Sequence, residues 1–196
     1  MAVIRLIAGL GNPGPRYAGT PHNVGADFVH ALAARFDIAL TDEPRFKGRI
    51  GRGSILDRDV RLLIPTTFMN LSGECVGAVA TFYKYSPAEM LVVHDEMAFE
   101  PGIVRLKVGG GHNGHNGLRD IIASLGNCAE FVRLRIGVGH PGTREGVSGY
   151  LTGTKMRAED RERVEQACRL SDELLALILA GETGKAMNRL HTGGKD

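Results

Sequence analysis

Three apolar runs mark the first half of the chain: Val3 to Leu10, broken by Arg5, then Arg61 to Ile64, then Met90 to Val93. Short runs without polar alternation fit strands covered on both faces, as in a parallel sheet. Thr20-Pro21 supplies an N-cap and a first-turn proline, after which Val24, Phe28, Val29, Leu32, Ala33 and Phe36 repeat at helical spacing. The pattern predicts a helix with His22 in its first turn. A second helix is expected over Leu71 to Tyr85, where Gly73, Gly77, Ala78 and Ala80 permit close packing against the sheet, and a short third over Leu118 to Leu125 before Gly126. Strand and helix alternate, which is an α/β pattern.

Two later segments alternate with period two. Val104, Leu106 and Val108 oppose Arg105 and Lys107, and Val132, Leu134, Ile136 and Val138 oppose Arg133 and Arg135. Side by side, these strands would carry a stripe of four cations. A last helix, Arg157 to Ala180 before Gly181, mixes charges of both signs and reads as a solvated outer layer. With no repeat, low-complexity tract or linker, residues 1–196 are expected to form one α/β domain, a mixed twisted sheet flanked by helices.

Composition changes this picture in one respect. Lys and Arg total 24 against 22 Asp and Glu, and 43% of residues are apolar, as in an ordinary globular protein. Glycine is the exception, since 27 of 196 residues is about twice the usual frequency. Many tight backbone passages follow. Cys75, Cys128 and Cys168 form no CxxC pair, so neither a disulfide framework nor a thiolate metal site is expected, and a cytoplasmic location fits best. Arg5 interrupts the only candidate signal peptide, and no run approaches the roughly 18 apolar residues of a membrane span.

Ligands of open α/β sheets bind beyond the carboxyl ends of the strands, so the residues after each run carry the functional information. They are Asn12, Tyr17 and His22; Thr66, Thr67, Phe68, Met69 and Asn70; His94, Asp95 and Glu96; and the glycine-rich loop Gly109 to Gly117 with His112, Asn113, His115 and Asn116. All four groups are expected at one cleft. Gly9 to Gly14 matches GxGxxG, but Pro13 and Pro15 lack the backbone donors a pyrophosphate needs, and the helix waits until about Pro21. Zinc ligation by His112 and His115 with His94 or Asp95 lacks a rigid helical face. Ser72 and Ser148 have no nucleophile elbow, and Cys75 falls on a buried helix face. His22 is the best general base: a helix N-terminus disfavours its cation, a carboxylate such as Asp95 favours it, and a neutral imidazole near pH 7 is the expected balance. The amides of Asn12, Asn70 and Asn116 would then hold a carbonyl or its oxyanion. From the residues alone, a His22 that merely caps a helix, among asparagines that merely shape turns, stands equally open.

These residues fall in blocks that strongly resemble the bacterial peptidyl-tRNA hydrolase family. The blocks are Leu6 to Gly14 with Tyr17 and His22-Asn23, Pro65 to Gly73, His94-Asp95-Glu96, Gly109 to Gly117, and Arg133 to Gly137 through Gly142, together spanning about residues 3–142. The resemblance implies a monomeric cytoplasmic enzyme without cofactor or metal. It would hydrolyse the ester between a peptide, or an N-blocked aminoacyl group, and the 3′ end of tRNA. By matching position, His22 would activate water, Asp95 would stabilise its basic form, and Asn12 would help separate blocked from unblocked substrate. Tyr17, Phe68, Met69, Asn70, His115 and Asn116 would line the substrate pocket. Lys107 and Arg135 would hold the terminal phosphate of the tRNA acceptor stem.

Overall fold

All five expected strands form, joined by two that the apolar pattern does not reveal. In the computed structural model, which describes residues 2–192, they are β1 (Leu6–Gly9), β2 (Thr41–Glu43), β3 (Gly48–Ile55), β4 (Arg58–Pro65), β5 (Met90–Glu96), β6 (Val104–Val108) and β7 (Val132–Gly137). They make one mixed sheet in the order β2-β3-β4-β1-β5-β7-β6. The apolar runs occupy its centre, where β1 is parallel to both β4 and β5, and β5 is parallel to β7. Antiparallel β3 and β6 flank this parallel core. Leu6 and Ala8 of β1 point into one hydrophobic cluster and Ile7 into the other, so the strand is covered twice.

Helices α1 (Val24–Arg35), α4 (Ala158–Cys168), α5 (Asp172–Leu179) and α6 (Thr183–Thr192) and helices α2 (Ser72–Tyr83) and α3 (Asn116–Ser124) complete the chain. The buried residues of α1, α4, α5 and α6 belong to one cluster with Ile7, those of α2 and α3 to the other with Leu6. Gly73 and Gly77 of α2 do admit a close neighbour, but that neighbour is α3 and not the sheet. A Cβ on Gly73 would meet the Asp120 carbonyl oxygen at 2.2 Å, and one on Gly77 would meet Ser124 at 3.1 Å.

Three expectations need correction. His22 lies in a 3₁₀ turn, Pro21–Asn23, immediately before α1 rather than within the helix. The β3–β4 hairpin escapes the pattern because β3 contains Gly48, Gly51 and Gly53, and Ile38 occupies the space a side chain would take at the latter two. Its two-residue turn uses Leu56 and Asp57, both at positive φ, without the usual glycine. The expected helix over 157–180 is two helices. Ser171 accepts from the Leu174 N–H and caps α5, while Arg35 takes the Leu170 carbonyl left outside either helix. Only α4 is a solvated layer: Leu175, Ile178 and Leu179 of α5 are fully buried.

The close approach that positions the site is between β1 and α1. A Cβ on Gly25 would lie 2.2 Å from the Val93 carbonyl oxygen, and one on Gly9 would lie 2.2 Å from that of Gly25. Backbone therefore touches backbone, and the turn bearing His22 is held over the carboxyl ends of β1 and β5. Because α5 closes the core, Leu175→Ala should destabilise the fold by about 2–5 kcal/mol in chemical denaturation, the range for deleting a buried leucine. A change below about 0.5 kcal/mol, typical of surface positions, would return α5 to the solvated layer.

Candidate active site

The penultimate residue of β5 is Asp95, and its carboxylate faces two imidazoles. His22 Nδ1 lies 2.8 and 2.9 Å from its two oxygens, and His115 Nε2 lies 2.9 Å from Oδ1. His115 is the N-cap of α3, where its Nδ1 accepts from the Leu118 N–H at 3.3 Å. That bond leaves the proton on Nε2, directed at Asp95. With the Asp95 carboxylate as acceptor, His22 likewise carries its proton on Nδ1, so Nε2 keeps a lone pair. His22, Asp95, Lys107, His115, Asn116 and Arg135 all line one cavity of ≈ 630 Å³.

Burial lowers the pKa of His22, but the charge of Asp95 and its hydrogen bond outweigh burial and leave the pKa above the ordinary value. The expected balance is thus tilted towards the proton, because the carboxylate is in direct contact. Burial would likewise raise the pKa of Asp95, yet the charges and hydrogen bonds of His22 and His115 hold it well below the usual carboxylate range. Asp95 is a permanent anion inside the protein. His94, behind it, is pushed down to about 3, by burial first and then by His115. Its Nδ1 lies 2.8 Å from the Asp95 carbonyl oxygen, while its buried Nε2 has no hydrogen-bond partner among the described residues.

Asn12, Tyr17, Phe68, Met69 and Asn70, expected at the same cleft, are not among the residues that line this cavity. Asn23 pins the backbone of Asn12 from both sides, its Oδ1 accepting from the Asn12 N–H at 2.8 Å and its Nδ2 donating to the Asn12 carbonyl at 3.0 Å. Asn12 Oδ1 accepts from the Met69 N–H at 2.7 Å, which orients the side-chain amide and leaves Nδ2 as the donor. The rings of Tyr17 and Phe68 meet edge to face at 6.2 Å, with Phe68 about half exposed. Met69 is buried, and a Cβ on Gly117 would meet its sulfur at 2.6 Å and the His115 ring at 3.2 Å. It thus lies between Asn12 and the start of α3, while Asn70 and Asn116 are exposed.

The four cations do share one face, since Arg105 pairs with Arg135 and Lys107 with Arg133 across β6 and β7. They do not share one role. Arg133 is only 2% exposed and donates to the carbonyls of Gly110 and Gly111 while lying 4.7 Å from the Phe131 ring. It anchors the glycine loop that delivers His115 and Asn116. Arg135 donates twice to Glu96 Oε2, at 2.9 and 3.1 Å, and stacks 4.6 Å from Phe99. Lys107 stands half-exposed at the cavity wall. The functional pieces that sequence reasoning missed are the pinning by Asn23, the orphaned Nε2 of His94 and the structural use of Arg133. Alternation placed Arg133 on the correct face, but nothing local says that a loop will fold over it.

Other chemistries find little support. After Gly14 comes a 3₁₀ turn, Pro15–Tyr17, and α1 begins only at Val24, so no helix opens at the GxGxxG match. Ser72 is buried and donates to the Met69 carbonyl, and burial pushes the Cys75 thiol up to about 12. His112 uses its Nδ1 to accept from the Gly114 N–H at 3.1 Å. Among the described residues, one group has the spacing of a metal site: the ligand atoms of His22, Asp95 and His115 lie within 4.8 Å of one another.

A family model described as peptidyl-tRNA hydrolase matches residues 6–196. Similar curated proteins include the peptidyl-tRNA hydrolase of Actinobacillus pleuropneumoniae, 48% identical over 97% of this chain and 98% of that protein. That of Shewanella denitrificans is 50% identical over 98% of each. Among solved structures, the peptidyl-tRNA hydrolase of Acinetobacter baumannii superposes with a TM-score of 0.92 at 45% identity, covering 96% of this chain and 95% of that one. The match runs well past the motif blocks and through the carboxyl-terminal helices. The chain belongs to the peptidyl-tRNA hydrolase family.

Proposed function

We propose that the chain hydrolyses the ester joining a peptide, or an N-blocked aminoacyl group, to the 3′ end of tRNA, with His22 as general base. The observation that carries this reading is the buried His22–Asp95 pair at 2.8 Å on the wall of the cavity. A water at His22 gives its proton to Nε2 as its oxygen attacks the ester carbonyl. Asp95 stabilises the imidazolium that forms, and His115 donates from Nε2 to the carboxylate oxygen Oδ1 that His22 also faces. Asn12 Nδ2, together with the amides of Asn70 and Asn116, supplies donors for the substrate carbonyl or its oxyanion. Collapse of the tetrahedral intermediate expels the 3′ oxygen of the ribose, which recovers the proton from His22. This route uses neither a metal nor a covalent intermediate, because imidazole supplies the base and water the nucleophile.

Tyr17 and Phe68 offer an aromatic rim for the substrate, and Met69 supports it from below. Lys107 and Arg135 bind the terminal phosphate of the acceptor stem, at the end of the cavity formed by β6 and β7. Phosphate contacts of this kind position a nucleic acid without reading its sequence, as suits an enzyme that must accept many tRNAs. Three unpaired cysteines and the absence of any helix long and apolar enough to cross a membrane, among the described residues, support a cytoplasmic enzyme, which we take to act as a monomer.

Release of labelled N-acetyl-aminoacyl groups from tRNA tests the base. His22→Ala should lose about 10²–10⁴-fold in turnover while keeping its fold and most of its tRNA affinity, and near-normal hydrolysis would remove the assignment. The pH profile tests the pair. His22 is protonated below its raised pKa, so kcat/KM should fall as pH drops through that value and level off above it. Asp95→Asn removes the charge, the larger of the two causes that raise the pKa, so its acid limb should move to lower pH even as the plateau drops. An unmoved limb would assign the titration to another group.

Salt dependence of tRNA binding tests the phosphate role. Lys107→Ala should weaken binding and lower the salt slope by about one ion. Arg135→Ala should weaken it further, since Glu96 then faces the phosphate unpaired. Slopes equal to that of the wild type would contradict both assignments.

A further inference from the structure

We propose that His22, Asp95 and His115 form a binding site for one divalent transition-metal ion of the zinc class, and that the bound ion inhibits the enzyme. Two imidazole nitrogens and one carboxylate oxygen are the donor set that borderline cations prefer, while magnesium and calcium favour oxygen alone. Asp95 Oδ1 is already 2.8 Å from His22 Nδ1 and 2.9 Å from His115 Nε2. Ligands around a tetrahedral zinc stand about 3.3 Å apart, given metal–ligand bonds of about 2.0–2.1 Å. These two separations each have to open by about half an ångström to admit an ion at ordinary bond lengths, while the two imidazole nitrogens, which lie within 4.8 Å of each other, have to draw together towards the same spacing. The carboxylate is only 3% exposed and faces both imidazoles, so a dication there meets its oxygens with little competition from bulk water. The nearby Arg135 is offset by Glu96.

Inhibition follows from the tautomers. Both imidazoles direct N–H groups at Asp95, and an ion between them needs lone pairs at those same atoms. In the neutral rings the protons therefore move to the opposite nitrogens, Nε2 of His22 and Nδ1 of His115, with no net release. The first shift fills the position from which His22 would accept a proton from water. The second forfeits the 3.3 Å bond from the Leu118 N–H at the start of α3. Binding and loss of the base are one event. The inhibitory half of the proposal rests on His22 acting as the base; the binding half does not.

Cobalt(II), whose visible ligand-field absorption reports its donors, separates the two halves. Titrated into the intact chain, it should saturate at one ion per molecule and be displaced by zinc. His22→Asn and His115→Asn, each checked for native circular dichroism, should each bind cobalt more than about 100-fold more weakly, since even outer partners of a ligand cost 10–100-fold. His112→Asn and His140→Asn, which alter cavity histidines outside the cluster, should bind as the wild type does. At concentrations that fill the cobalt site, zinc should abolish release of N-acetyl-aminoacyl groups from tRNA, equal magnesium should not, and a chelator should restore it. Cobalt bound equally well by both cluster variants, or lost in His112→Asn, would overturn the site. Zinc that binds there without slowing hydrolysis would overturn the inhibition and the role of His22 as base together. Zinc that accelerates hydrolysis would overturn the inhibitory assignment and the metal-free route.

Discussion

A carboxylate almost wholly withdrawn from water, shared between two imidazoles, is the interaction on which the rest of this structure depends. Isolated burial of Asp95 would cost several kcal/mol and be relieved by protonation. Here that escape is closed, because each oxygen is met by an N–H donor from an element anchored elsewhere. One donor arrives from the turn ahead of α1 and the other from the cap of α3, so helices on opposite faces of the sheet meet at a single residue of β5. The fold as a whole, and not a local motif, supplies the permanent anion. Chemistry at His22 inherits that anion as a fixed field.

The glycine content makes sense on the same terms. Some of these residues serve close approach, as at Gly9, Gly25 and Gly73, where a Cβ would strike a neighbouring carbonyl. Others serve the loop over β6 and β7, where Gly109, Gly110 and Gly114 take positive φ. Such a loop gains order from outside itself: the guanidinium of Arg133 gathers the Gly110 and Gly111 carbonyls, and His115 then enters α3 with its ring already aimed. A cation that composition would assign to solvent or to nucleic acid is instead spent on backbone.

Much of this was legible in the chain. The apolar runs located the parallel centre of the sheet, and the rule that ligands bind beyond strand ends pointed to His22, Asp95 and Asn116, which come from three separate stretches of the chain and line one cavity. Which side chains touch was not legible, since His22 and Asp95 are 73 residues apart and nothing local encodes their contact. The matching blocks supplied the pairing that periodicity lacked. The failures have local causes: glycines erased the alternation of β3, and a serine inside a charged stretch hid the start of α5. Cations at alternate positions looked equivalent on paper, although one is covered by a loop, one is tied to a glutamate and one stands free enough to meet a ligand.

The contact between Gly9 and Gly25 has a consequence for how such a protein can diverge. Main-chain atoms, not side-chain bulk, set the spacing there between the first strand and its helix. Exchanges among leucines, valines and isoleucines away from Val29, which also packs at Gly9, therefore do not act on this backbone contact directly. The reactive geometry is insulated from drift in the hydrophobic interior by two residues that have no side chains to drift.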